Sequence, residues 1–182
     1  MKKKSEAVLF EGKWLKFKEL VFTNQKGQDI VWEAIERKNT AKIVIVIAKL
    51  VPSEQYVLIK QFRPAINNTV IGFPAGLAHA GDIEKEAQKE LQEETGYCGQ
   101  IKFISPDLAF NPSMTQEQAN IVFMEIDEKD LRNQDPKQAL EPAEQIEVLL
   151  VPKPKIKQFI DGELEKRQPV SIALWYLANN PF

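Results

Sequence analysis

The chain has 182 residues, 43% of them hydrophobic, which suffices for one full core and for one domain, or one domain with a small appendage. A formal net charge of −2 argues against general binding to nucleic acids or membrane surfaces, which needs a basic patch. The single cysteine, Cys98, excludes an intrachain disulfide and fits a reducing cytoplasm.

Lys2-Lys3-Lys4 is followed by no apolar h-region, so the start of the chain does not read as a signal peptide. Strands are predicted at Trp14 to Phe22 and Ile30 to Arg37, with Gln25-Lys26-Gly27-Gln28 as the turn of a hairpin between them. Lys42 to Leu50 and Gln55 to Phe62 follow. The apolar run Ile43 to Ala48 is far too short to cross a bilayer and reads as a buried central strand. Thr69 to Phe73 is a short strand entering a glycine-rich turn, and a helix is expected after Gly81-Asp82, stopping at Gly96. Beyond it come strands near Gly99 to Ser105 and Asn120 to Ile126, a polar stretch from Glu128 to Glu144, and a strand Ile146 to Val151. Helices over Lys155 to Asp161 and Pro169 to Ala178 close the chain, with Trp175 in an apolar pattern that places it in the core. The order is that of a mixed α/β fold.

The predicted helix ends Lys89-Glu90-Leu91-Gln92-Glu93-Glu94-Thr95-Gly96-Tyr97. At about 100° per residue, Glu90 and Glu94 share one face and Glu93 stands at its shoulder. Carboxylates at this spacing repel one another. A hard divalent cation would turn that repulsion into a binding site, because Mg²⁺ prefers carboxylate oxygens and keeps waters or substrate phosphates as its other ligands. A solvated acidic face is the plain alternative. The turn Gly72-Phe73-Pro74-Ala75-Gly76-Leu77, ending five residues before Asp82, favours the metal site.

Turn and helix together resemble the Nudix hydrolase signature. In words, it is Gly, five residues, Glu, seven residues, Arg-Glu, an aliphatic residue, any residue, Glu-Glu, any residue, Gly and an aliphatic residue. Gly76, Glu90, Leu91, Glu93, Glu94 and Gly96 match directly, while Lys89 stands for the usual arginine and Tyr97 for the final aliphatic residue. The loop is one residue short. Counted from Gly76, Asp82 takes the place of the first Glu; counted back from the helix, Gly81 takes it and Asp82 becomes the N-cap. Lys60-Gln61-Phe62-Arg63-Pro64, Phe73 to Leu77 and Pro112 resemble the ADP-ribose and ADP-sugar pyrophosphatase branch. So do Glu11-Gly12-Lys13-Trp14, Trp32-Glu33 with Arg37, Glu144 to Val148, and Val170 to Leu177, so the likeness covers nearly the whole chain.

The resemblance implies a Nudix fold, a curved mixed β-sheet sandwiched between α-helices, with an N-terminal antiparallel strand extension. Residues 1–38 would form that extension and serve dimerisation and base binding; residues 39–182 would form the catalytic domain. The implied reaction is Mg²⁺-dependent hydrolysis, with Mn²⁺ able to substitute, of a nucleoside diphosphate sugar. ADP-ribose, giving AMP and ribose 5-phosphate, is the first candidate, and GDP-mannose and ADP-glucose are alternatives. A non-catalytic nucleotide-sensing module is the alternative of another class. The implied metal ligands are the Ala75 carbonyl, Glu90, Glu93 and Glu94, with Lys89 holding a carboxylate in place.

Glu144 sits where the branch carries its general base, and Glu141 and Glu147 are the other carboxylates of that segment. Trp14 and Trp32 resemble a pair that sandwiches the nucleobase; half-buried core positions are their alternative. Arg37 and Arg63 suit bidentate diphosphate recognition, against surface ion pairs. His79, the only histidine, is expected to be a loop residue without a catalytic role, and Cys98 an inert thiol. The implied assembly is a homodimer in which the N-terminal strands cross to the partner; alternating apolar residues from Leu15 to Phe22 would be covered there.

Overall fold

The computed structural model describes residues 1–38, 42–78 and 82–180. In chain order its strands are β1 (Lys2–Glu11), β2 (Leu15–Thr23), β3 (Asp29–Arg37), β4 (Lys42–Val51), β5 (Gln55–Arg63), β6 (Asn68–Gly72) and β7 (Ala75–Ala78). Helix α1 (Ile83–Thr95) follows, then β8 (Gln100–Ile104), β9 (Leu108–Ala109), β10 (Gln118–Asp127) and β11 (Ile146–Pro152). Helices α2 (Ile156–Glu165) and α3 (Ile172–Asn179) complete it. No helix among the described residues is long and apolar enough to cross a membrane.

Successive side chains of a strand point to opposite faces, and β4 obeys this on two covered faces at once. Val44, Val46, Ala48 and Leu50 pack with Ala87 and Leu91 of α1, whereas Ile45 and Ile47 pack with Ile156, Ile160 and Leu174 of α2 and α3. Burial on both sides is why Ile43 to Ala48 carries no polar alternation. The main sheet has eight strands in the order β11-β5-β4-β10-β8, with β6 on β5, β7 on β4 and β9 on β10. It is mixed, since β10 runs parallel to β4 while its other pairings are antiparallel. The expected sheet between helices is thus present.

β4 and β5 pair only at Ala48–Val57 and Lys49–Tyr56. Beyond that they part, and β7 takes the ladder of β4 over Lys42 to Ile45 while β6 takes that of β5 over Ile59 to Arg63. The turn joining β6 to β7 therefore sits in the fork. Pro74 O accepts from Val46 N–H at 2.8 Å and ties the turn to the central strand.

Helix α1 starts where Asp82 caps it, accepting from Lys85 N–H at 3.1 Å. It stops at Gly96, whose φ of 79° is left-handed and whose N–H bonds Gln92 O. A Cβ at Gly96 would also lie 2.3 Å from the Lys137 backbone nitrogen. Gly96→Ala should therefore destabilise by about 1–3 kcal/mol or more, read as a lower midpoint in urea unfolding. The polar stretch after β10 wraps this end: Ala139 N–H and Gln138 Nε2 donate to the carbonyls of Glu93 and Glu94. Those carbonyls have no partner inside the helix.

The N-terminal strands form a separate antiparallel sheet, β1-β2-β3. Its turn is the expected one around Gly27, whose N–H bonds Asn24 O. Lys18, buried on β2, is paired with Glu6 and Glu36. This sheet meets the loop before β10: Ile35 N–H donates to Met114 O at 2.8 Å and Trp32 Nε1 to Ser113 O at 3.1 Å. β1 has no counterpart among the strands expected from the sequence. Trp175 also differs from expectation: α3 buries Leu174 against the sheet and leaves Trp175 about half exposed.

Candidate active site

Ala87, Leu91 and Glu94 recur at the i, i+4, i+7 spacing of one helical face, and all three are buried in α1. Glu94 thus continues the apolar stripe into the fork of the sheet, where it is only 1% exposed. Its Oε2 accepts from Ala75 N–H at 2.9 Å, while its Oε1 is buried without a hydrogen-bond partner. Burial pushes its pKa up to about 8, with Glu90 and Glu144 adding to the rise and the Ala75 N–H and Arg63 opposing it.

One turn earlier, Glu90 lies flat against Gly76. A Cβ there would stand 1.8 Å from Glu90 Oε1, so only glycine leaves room for this carboxylate. Burial raises the Glu90 pKa to about 7, against Lys89 and with help from Glu86, Glu93 and Glu144. Glu93 sits on the outer shoulder, where Lys89 Nζ lies 3.4 Å from its Oε2 and 3.0 Å from Glu86 Oε1. Those acidic neighbours, the Glu86 hydrogen bond first, raise the Lys89 pKa above its ordinary value. Lys89 thus holds Glu93 and Glu86 on the flank of the helix.

Sheet register sorts the carboxylates of the polar segment. Ile146 pairs with Gln61, and Phe62 N–H donates to Gln145 O, which brings Glu144 level with Arg63. Both act electrostatically on Glu94. Glu144 Oε2 accepts from Glu141 N–H at 2.9 Å, which fixes its direction. Glu147 pairs with Lys60 on the opposite face of the sheet, and the Glu141 side chain is exposed.

The remaining expected residues lie apart. Trp14 is 63% exposed and stands outside the core, while Trp32 is half-buried at 51% exposed. Trp14 has Lys13 Nζ 4.7 Å from its ring centre and faces Lys38, whose N–H bonds its carbonyl, whereas Trp32 lies six residues back along β3. The two residues thus stand about 20 Å apart along the strand. Arg37 Nε bonds Glu117 Oε1 at 3.0 Å. His79 and Gly81 lie outside the described residues. Asp82 is the helix cap, and Cys98 is half-buried.

Among the described residues, no three His, Cys, Asp or Glu side chains are gathered closely enough to enclose an ion. Glu90 and Glu94 nonetheless fit a divalent cation: a buried carboxylate with an orphaned oxygen, a second one beside it and a glycine cradle that a Cβ would fill. An unpaired buried charge is costly unless matched, and an all-oxygen donor set suits a hard cation. Sequence reasoning missed Glu86, Gln138 and Gln61. The first was visible in its i, i+3 spacing to Lys89, while the other two depend on contacts that only the fold makes.

No family model matches the chain. An ADP-sugar pyrophosphatase of Mus musculus is 31% identical over 166 residues, covering 87% of this chain and 76% of its own. An uncharacterized Nudix hydrolase of Schizosaccharomyces pombe is 33% identical over 144 residues, with 75% and 70% covered. An ADP-ribose pyrophosphatase of Saccharomyces cerevisiae is 32% identical over 148 residues, with 76% and 64% covered. The crystal structure of an ADP compounds hydrolase shares the fold at a TM-score of 0.71 and 16% identity, over 97% of this chain and 92% of that one. With identity above 30% over more than two thirds of both chains, the protein belongs to the Nudix hydrolases.

Proposed function

We propose that the protein hydrolyses the diphosphate linkage of nucleoside diphosphate sugars in a Mg²⁺-dependent reaction, with ADP-ribose giving AMP and ribose 5-phosphate. The observation that carries this is the orphaned, buried Glu94 oxygen beside Glu90, within electrostatic reach of Glu144 and Arg63. The names of the mouse and budding-yeast relatives support the choice of an ADP-sugar. Glu90 and Glu94 would hold the cation, Mg²⁺ or in its place Mn²⁺, with the Ala75 carbonyl and with Glu93 once it swings in from the shoulder of the helix. When bound, it neutralises diphosphate oxygens and acidifies water.

Arg63 and Arg37 bind the diphosphate, and Lys89 steadies Glu93. Glu144 takes the proton of the attacking water as its oxygen bonds to one phosphorus and the bridging P–O bond breaks. Glu144→Gln should then lower kcat and leave KM and the Mg²⁺ dependence nearly unchanged. Steady-state kinetics over a Mg²⁺ series checks this; the same pattern in Glu141→Gln instead would move the base to that residue.

Trp14 and Trp32 stack on the nucleobase. Stacked rings lie about 4.5–7 Å apart, so one chain, with its pair about 20 Å apart along the strand, does not close a sandwich. A second copy would supply the other ring, which supports a homodimer. Of the apolar residues expected to be covered there, Leu20 is already buried and Phe17, Val21 and Phe22 half-buried within one chain, so the interface would fall on the exposed Leu15 with Val8, Leu9 and Phe10. Residues 1–38 then form the dimerisation and base-binding extension of a catalytic unit, residues 39–182. Mixed dimers of Trp14→Ala and Glu93→Gln chains should regain part of the activity that each lacks at low substrate. No recovery in proven heterodimers would mean single-chain sites.

A cytoplasmic setting agrees with the lone free Cys98. The substrate choice is tested by a panel of ADP-ribose, ADP-glucose and GDP-mannose with Mg²⁺, scored for nucleoside monophosphate. Nucleotide binding without turnover across the panel would make the protein a sensor.

A further inference from the structure

Gln61 is the buried polar residue of β5 that the proposed reaction leaves unused. It is 7% exposed, and its Oε1 is buried without a hydrogen-bond partner. Its neighbours on the two flanking strands, Val70 and Ile146, are apolar and offer no side-chain donor. A buried amide oxygen left unmatched costs stability, and an apolar side chain of the same size would avoid that cost.

Its direction follows from the strand period. Gln61 shares the face of Val57, which packs with Leu91 of α1, and of Arg63. Across the ladder it meets Ile146, whose carbonyl shares the Gln138 Nε2 donor with the carbonyl of Glu94. Gln61 is therefore two residues along the same face from Arg63, which with Glu144 acts on Glu94, and Gln138 ties its ladder partner to the end of α1 that carries Glu94. Gln61 Oε1 and Glu94 Oε1 are both buried acceptors without donors, one on the face of β5 turned toward α1 and the other on the buried face of α1. A hydrated cation would answer both, its charge matching the Glu94 carboxylate and one of its waters donating to Gln61 Oε1.

Resting on the proposed hydrolase site, the geometry points to Gln61 as a positioning residue of that site: its amide oxygen accepts a hydrogen bond from a water carried by the cation at Glu94. Outer partners of this kind orient the ligands and change cation affinity by about 10–100-fold when lost.

The test uses Mn²⁺ alone, titrated into the metal-free full chain and followed by the loss of the free-ion EPR signal, together with thermal melts. Gln61→Met, close in volume and without the acceptor, should bind Mn²⁺ about tenfold more weakly while the metal-free protein melts higher. Gln61→Glu, which keeps the acceptor, should bind at least as tightly as wild type. A higher melting temperature with unchanged Mn²⁺ affinity in Gln61→Met would reduce Gln61 to a core residue and overturn the inference. Equal weakening in both variants would overturn the acceptor role. Glu94→Gln separates the two readings: if it binds Mn²⁺ like wild type, the cation site itself is misplaced and both fall. If it alone loses binding, only the inference on Gln61 falls.

Discussion

Glu94→Gln should lower turnover of ADP-ribose by two or more orders of magnitude at saturating Mg²⁺, while the metal-free variant melts higher than wild type. The amide keeps an oxygen to accept the Ala75 N–H, so the turn stays tied to the helix. What disappears is a buried negative charge whose second oxygen has no partner. In the metal-free protein that charge opposes folding: its pKa rises from 4.5 to about 8 on folding, chiefly through burial. Between those values the folded protein holds more protons than the unfolded chain, so stability falls as pH rises through the window. The penalty above it is on the order of a few kcal/mol. Thermal melts of the chelated protein from pH 5 to 8 should show the decline in wild type and less of it in Glu94→Gln. Turnover near the wild-type level would remove Glu94 from the site.

Gly76→Ala should be nearly as damaging to activity, for a reason of space. The added methyl would collide with the Glu90 carboxyl, but that is the end of a flexible side chain and can swing aside. The fold then survives with an overpacking cost of about 1–3 kcal/mol, while Glu90 no longer stands beside Glu94. A drop of about a hundredfold or more in kcat/KM (about 2.7 kcal/mol of transition-state stabilisation) with a native circular dichroism spectrum is the expected pair of results. Wild-type kinetics would mean that the position of Glu90 against the turn is not required.

Elements with a strong physical signature are legible in the residues themselves. β4 needs apolar residues on both faces, and the helix wheel sets Glu90 and Glu94 together with Glu93 aside. β1 escapes because a strand exposed along its length needs no alternation, and Lys-Lys-Lys-Ser-Glu shows none. β7 escapes because Ala-Gly-Leu-Ala lacks β-branched residues; it is a strand because the fork leaves the upper β4 ladder unpaired. The choice among Glu141, Glu144 and Glu147 depends on register against β5, which composition does not carry. Trp175 misleads because an apolar helix pattern does not say how many of its faces are covered.

The most direct measurement is AMP release from ADP-ribose by the chelated protein before and after Mg²⁺ is restored. A divalent cation held at Glu90, Glu93 and Glu94 predicts no turnover in chelator and stoichiometric AMP and ribose 5-phosphate on adding Mg²⁺. Undiminished AMP release in chelator, or none with Mg²⁺ present, would contradict it.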